Sequence, residues 1–330
     1  MSVISAGTLS EATPATSLPR SHAVVFTVFA VAVTAGAIAG PPLPSAVLAV
    51  GLAASVVVVG LPHGGLDHRV GRALFFPRFA AYWSLPFLAA YLSVGATVLV
   101  GWSLAPLTTI TLFLTLSAVH FGDTEPGPRW RATLFGGLPI WLPLLARPEE
   151  TATLLGWVTP GGIDLAEPLA ASRPMLIVIA TVAAVTWVVG TVSSACRVDR
   201  DGLLDAVRLA ASAGMLVFTP VLVGFAVCFC GWHSLRELGR LAAQADPLDP
   251  ASGFRRVALA AAPLALLAAA LAAGGAWYFG SGRELGPVVV QAVFLGLSAV
   301  AVPHILLHAV AARYGADAFS ADDREVTGAV

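Results

Sequence analysis

Six of the seven histidines lie late in apolar segments, where a polar side chain is costly. The densest motif is 60–68, GLPHGGLDH, in which two histidines and an aspartate end an unbroken apolar run. The remaining four are His120, His233, His304 and His308. Polar groups at membrane depth usually serve function, and imidazole is the commonest metal ligand in proteins. These positions predict one metal ion held by side chains from four segments.

Each motif also has an acid or a second histidine one helical turn later: His63 with Asp67, His120 with Asp123, His233 with Glu237, and His304 with His308. Residues three or four apart share a helix face, and a ligating histidine usually donates its other N–H to such a partner. We therefore expect Asp67, Asp123 and His308, together with His68, to support the ligands or to contact substrate. A single membrane histidine is better explained as a hydrogen bond between helices, but four matched positions favour a metal site.

The composition indicates a membrane protein. The chain has 330 residues, of which 57% are hydrophobic and 11% charged, whereas soluble domains carry roughly 25% charged residues. Several stretches approach the roughly 20 apolar residues that span a bilayer. We predict an all-α, polytopic transmembrane helical bundle. The sequence has no basic patch that would indicate binding to nucleic acid. All 18 basic residues are arginine, so Schiff-base chemistry on lysine, and with it a retinal-binding rhodopsin, is excluded.

The chain divides into one large domain with two tails. Residues 1–21 are predicted to be a disordered N-terminal tail, 22–313 a single transmembrane domain, and 314–330 a disordered acidic tail. Pro62 and its neighbouring glycines should break the helix that carries His63. Gly64 and Gly65 would also let a bulky ligand approach the backbone.

The stretch 203–238 decides the number of spans, because it forms either one long helix or two helices divided near Thr219 and Pro220. Arginine in short loops favours the cytoplasmic side. If the stretch 203–238 is divided, the chain has about ten spans. The arginine-rich short loops then lie in the cytoplasm, and every histidine motif lies near the cytoplasmic end of its helix. An undivided helix would place four arginines outside: Arg236, Arg240, Arg255 and Arg256.

The motifs together resemble a known family. The segments 62–68 (PHGGLDH), 120–123 (HFGD), 232–236 (WHSLR) and 303–304 (PH) resemble those of the Brp/Blh family of bacterial β-carotene 15,15′-dioxygenases. The resemblance implies a multi-pass iron enzyme of the bacterial inner membrane. Such an enzyme uses Fe(II) and O₂ to split β-carotene centrally into two all-trans retinal, which would pass to a rhodopsin-type protein.

By the same resemblance the iron ligands are His63, His120 and His233. The family has a histidine one turn after the third ligand, and here that position is Glu237. A carboxylate can also ligate Fe(II), so Glu237 is the leading candidate for the fourth ligand. His304 is the alternative, because the other ligands are neutral imidazoles.

Two other functions fit the residues less well. Membrane lipid desaturases and hydroxylases resemble an eight-histidine di-iron pattern with adjacent histidines, which this chain lacks. The other alternative is a metal or haem carrier, but axial haem ligation would need only paired histidines and would not explain the acids beside them. Carotenoid cleavage, the activity that the resemblance implies, therefore remains the favoured function.

Overall fold

The protein is helical throughout the part of the chain that can be described. A computed structural model describes residues 20–160, 163–280 and 282–314, and these ranges contain helices and no strand. The two predicted tails lie outside the described residues except at their inner ends, where Arg20, Ser21 and Tyr314 are helical.

Fifteen α-helices are present in the described ranges. The first six are α1 (Arg20–Ala39), α2 (Ser45–Ser55), α3 (Leu61–Gly64), α4 (Asp67–Phe79), α5 (Ser84–Leu104) and α6 (Pro106–Gly122). Three short helices follow: α7 (Arg129–Gly136), α8 (Leu138–Ala146) and α9 (Pro148–Val158). The last six are α10 (Ala166–Cys196), α11 (Arg200–Phe218), α12 (Val221–Ala226), α13 (Leu235–Ala245), α14 (Pro250–Phe279) and α15 (Leu285–Tyr314).

Seven helical segments within the described ranges are long and apolar enough to cross a membrane. They are Arg20–Ala39, Ser45–Tyr82, Ser84–Leu104, Ala166–Cys196, Val221–Ala245, Ala251–Trp277 and Leu285–Tyr314, and Pro106–Gly122 is apolar but shorter. The predicted polytopic helical bundle is confirmed, whereas the count of about ten is not. The apolar stretch 132–145 is not one helix, because α7 ends at Gly136 and α8 begins at Leu138.

The chain does divide at Pro220, as predicted. Helix α11 ends at Phe218, and Thr219 and Pro220 are extended before α12 begins at Val221. Proline has no backbone N–H and disfavours a helical conformation at the preceding residue. The Thr219 hydroxyl donates to the Met215 carbonyl at 2.8 Å, which closes the end of α11.

Two wider, π-helical turns lie at the histidine motifs. Val56–Gly60 joins α2 to α3, and Val227–Ser234 joins α12 to α13. In the first, the Leu61 N–H donates to the Val56 carbonyl five residues back, just before Pro62, which has no N–H to donate. Such turns are rare and frequently occur at functional sites. The predicted break falls a little later, at Gly65 and Leu66, between α3 and α4.

The largest buried apolar cluster joins α2, α5, α6, α12 and α15. Its fully buried members include Leu52, Trp102 and Val290, and Phe225 and Phe229 extend it toward the histidine motifs. Helix α15 packs against α2 and α5, while α13 packs against α14. This packing brings the four histidine-bearing segments together in the interior.

Candidate metal centre

Three of the predicted ligands meet at one point. His63 comes from α3, His120 from the last turn of α6, and His233 from the π-helical turn before α13. One ligand nitrogen of each lies within 4.8 Å of those of the other two. The side chains come from distant parts of the sequence, and His63 and His233 are only 9% and 3% exposed.

Four of their six ring nitrogens have no hydrogen-bond partner among the described residues. The Nδ1 atom of His63, the Nε2 atom of His120 and both ring nitrogens of His233 are buried without a hydrogen bond. A buried polar atom left unpaired costs about 1–3 kcal/mol, so several at one point need an explanation. Ligation of a metal ion would satisfy these nitrogens, and neutral imidazoles suit iron, copper, zinc or nickel. The donor set therefore fits a metal.

His304 joins these three rings as a fourth. Its ring centre lies 5.5 Å from that of His63 and 5.2 Å from that of His120. The His233 ring lies 5.5 Å from His63 and 4.8 Å from His120. Imidazole nitrogens about 2.1 Å from an ion place the centres of neighbouring rings about 4.5–5.5 Å apart. Each of these four pairs has the spacing of two ligands to one ion, although His304 falls in a separate group of close ligand atoms from the other three histidines.

Asp67 supports His304 rather than His63. The Nδ1 atom of His304 lies 2.7 Å from Asp67 Oδ1, and the Nε2 atom of His308 lies 3.3 Å from the same oxygen. These three residues form a second group of mutually close ligand atoms. The break at Gly65 and Leu66 explains the change of partner, because residues four apart share a face only on a continuous helix.

The remaining predicted site residues have different surroundings. Asp123 lies 3.4 Å from His120 Nδ1, as its spacing predicts, although its side chain is 73% exposed. The Arg240 guanidinium engages both carboxylate oxygens of Glu237, and Glu237 is in neither group of close ligand atoms among the described residues. His68 is also outside both groups, and its Nδ1 lies 3.1 Å from the Gly65 carbonyl oxygen.

The sequence reasoning missed Tyr91. Its hydroxyl donates to Asp67 Oδ2 at 2.8 Å and also lies 3.0 Å from the Val300 carbonyl oxygen. The sequence did contain an indication of this role: Tyr91 places a phenol hydroxyl within an apolar span, where a polar group needs a hydrogen-bond partner.

A buried ionic cluster beside His233 was also missed. The Nε1 atom of Trp232 donates to Glu125 at 2.6 Å, and the Arg208 guanidinium lies 4.0 Å from the Trp232 ring centre. Arg208 and Glu125 form an ion pair at 2.5 Å with both side chains 3% exposed. His22, the histidine outside the pattern, stacks on Trp232 at 5.1 Å. These contacts hold the turn that carries His233.

Aromatic side chains surround the histidines on one side. The Phe121 ring centre lies 4.9 Å from that of His233, and the Phe229 ring lies 6.0 Å from His63 and 6.2 Å from His233. Both phenylalanines are buried. This side of the centre is therefore lined by apolar rings.

Comparison with known proteins assigns the chain to a family. The family model for "Beta-carotene 15,15′-dioxygenase" matches residues 54–311, which include all four histidine motifs. The chain is 26% identical to "Beta-carotene 15,15′-dioxygenase" of an uncultured marine bacterium, 66A03, over 77% of this chain and 90% of that protein. It is also 26% identical to "Probable beta-carotene 15,15′-dioxygenase Blh" of Halobacterium salinarum, over 77% of this chain and 81% of that protein. No solved structure matches the chain. Since the family model matches well over half of the sequence, the chain belongs to the β-carotene 15,15′-dioxygenase family.

Proposed function

We propose that this protein is a carotenoid-cleaving dioxygenase that splits β-carotene at its central 15,15′ double bond with O₂, giving two all-trans retinal. The observation that carries the proposal is the convergence of His63, His120 and His233 inside the helical bundle, with buried ring nitrogens that lack a hydrogen-bond partner among the described residues. Membership of the family supports the choice of reaction. The names of two relatives support a carotenoid as the substrate class.

The metal of this centre is Fe(II), held by His63, His120, His233 and His304. When bound, iron supplies the binding and activation of O₂, chemistry that a protein side chain does not provide. Asp67 and Asp123 orient His304 and His120 through their second ring nitrogens. Phe121 and Phe229 keep water from the reacting atoms.

His304 is preferred to Glu237 as the fourth ligand, which reverses the order suggested by family position. The pairing of Glu237 with Arg240 opposes a ligand role, since the carboxylate would have to leave the guanidinium. The Asp67 contact at His304 Nδ1 supports a ligand role for His304, because it leaves Nε2 as the nitrogen for a metal, and the His304 ring centre lies 5.5 Å from that of His63.

The substrate reaches the site through the lipid. β-Carotene is an extended hydrocarbon that dissolves in a bilayer, and a site among membrane helices receives it without passage through water. The enzyme resides in the bacterial inner membrane as a multi-pass protein, and its retinal product passes to a rhodopsin-type acceptor. The seven long apolar helices support the membrane location.

Product analysis in cells that make β-carotene tests the activity. Cells expressing the protein should lose β-carotene and accumulate retinal, identified by chromatography and mass. The His120→Ala protein should be present in the membrane at the same level and produce no retinal. Cys196→Ser, at an exposed free cysteine, is the matched control and should remain active. Apocarotenals of unequal length would contradict central cleavage, and unchanged β-carotene with metal-loaded protein would contradict the proposed function.

A further inference from the structure

A tyrosine on α5 completes a chain of contacts that ends at the proposed metal centre. The Tyr91 hydroxyl donates to Asp67 Oδ2 at 2.8 Å. The other oxygen of Asp67 lies 2.7 Å from His304 Nδ1. These contacts therefore link three helices: Tyr91 lies on α5, Asp67 is the first residue of α4, and His304 lies on α15.

We propose that Tyr91 is a positioning residue: it fixes the Asp67 carboxylate so that His304 presents its Nε2 atom to the metal. This inference rests on the proposed metal centre. Its chemical content is the tautomer of His304, because a proton held on Nδ1 by the carboxylate leaves the lone pair on Nε2.

The carboxylate needs such a fixing contact, because two histidines compete for one of its oxygens. His308 Nε2 lies 3.3 Å from the Asp67 oxygen that His304 approaches more closely. Rotation of the carboxylate would change the partner of His304 and with it the orientation of the ring. Donation from Tyr91 to Oδ2 opposes that rotation, since it ties the second oxygen to a different helix.

The packing of α5 on α15 holds Tyr91 at the right distance. One helical turn after Tyr91, Gly95 approaches α15 so closely that an added Cβ would lie 2.7 Å from the Ala299 carbonyl oxygen. The Tyr91 hydroxyl lies 3.0 Å from the next carbonyl oxygen, that of Val300. Two neighbouring contacts therefore set the position of Tyr91 relative to the helix that carries His304.

Metal titration of the Tyr91→Phe protein tests the inference, since this change removes only the hydroxyl. The metal-free protein in detergent is titrated anaerobically with Fe(II), and with Co(II) as a spectroscopic probe. Loss of Asp67, the direct partner of His304, would weaken metal affinity about 10–100-fold. Tyr91 acts through Asp67, so we expect Tyr91→Phe to weaken metal affinity less, by up to about 10-fold, with an altered Co(II) visible spectrum. Tyr82→Phe, at a tyrosine that is 74% exposed, is the matched control and should leave both unchanged.

A double-mutant cycle with Asp67→Asn separates this role from a general structural one. If Tyr91 acts through Asp67, Tyr91→Phe should cause little further loss of affinity in the Asp67→Asn background. Full additivity of the two losses would overturn the inference. Melting temperatures of the metal-free variants are measured in parallel, so that a loss of fold is not counted as a loss of affinity.

The outcomes distinguish this inference from the proposed function. If His63→Ala abolishes metal binding but Tyr91→Phe binds like the unaltered protein, the role of Tyr91 is refuted and the metal centre stands. If His63→Ala binds as tightly as the unaltered protein, the metal centre itself is refuted, and this inference with it.

Discussion

Glu237 and His304 are the two candidates for the fourth ligand of the proposed metal centre, and the contacts of each side chain distinguish them. The Glu237 carboxylate is engaged at both oxygens by Arg240, one turn later on α13. The Nδ1 atom of His304 lies 2.7 Å from Asp67, and the centre of its ring lies 5.2 Å from that of His120. A carboxylate neutralised by a guanidinium is a poor donor to a cation, whereas an imidazole hydrogen-bonded to a carboxylate is a better one.

We expect His304→Ala to remove the metal as severely as His63→Ala, because each change deletes a ligand. Glu237→Ala should retain metal with no more than the roughly 10–100-fold weakening of an outer partner. Iron per chain in the purified proteins, measured by elemental analysis, checks both. A metal-free Glu237→Ala protein that still folds, beside a metal-loaded His304→Ala protein, would make Glu237 the ligand.

The two adjacent glycines after His63 have different roles in the contacts between helices. A Cβ on Gly65 would lie 2.6 Å from the Ala261 Cβ and 2.8 Å from its Cα, so α14 approaches the backbone itself. A Cβ on Gly64 would meet only His304 Nδ1, at 3.7 Å, which is ordinary contact distance. Gly65 therefore admits a neighbouring helix rather than a ligand, which differs from the use expected from the sequence.

Gly65→Ala should destabilise the protein by about 1–3 kcal/mol, the typical cost of an overpacked contact. The contact with α14 lies two residues from His63, so metal affinity should fall as well. Gly64→Ala is the matched control and should be tolerated. Thermal unfolding in detergent with metal titration measures both effects. Equal melting temperatures for the two variants would show that α14 moves aside without cost.

At the scale of the whole molecule, apolar side chains lie on the outside as well as in the core. Helix α10 alone exposes Met175, Val178, Val182, Val185, Val189 and Val192. Large exposed apolar surfaces are unusual on soluble proteins, and they suit a helix that faces lipid. The buried polar groups, in contrast, are grouped at the histidines and at the Arg208–Glu125 pair.

The orientation of the helices in the membrane follows from arginine placement. A reporter fused after Gln244, near the end of α13, should be cytoplasmic, and one fused after Gly280, which follows α14, should be periplasmic. Fusions of alkaline phosphatase and green fluorescent protein at the two sites report the side of the membrane on which each site lies. A periplasmic reporter at Gln244 would contradict the ten-span arrangement and the common side of the histidine motifs.

The sequence by itself determined the class of the protein and the division at Pro220, and its motifs contain the three histidines that the fold brings together. These inferences succeed because their causes are local. A long apolar run belongs in lipid whatever surrounds it, and proline lacks its N–H in any fold. The family motifs likewise consist of short runs of neighbouring residues, from PHGGLDH to the His304 motif.

Only the tertiary structure decided which side chains support the centre. Asp67 contacts His304 and Tyr91, which lie on other helices, and Glu237 is paired with Arg240. Spacing in the sequence assumes a continuous helix, and the break at Gly65 and Leu66 removes that assumption for His63 and Asp67. Contacts between distant segments depend on how closely helices approach, and that distance is set by small residues such as Gly65 and Gly95 against their neighbours.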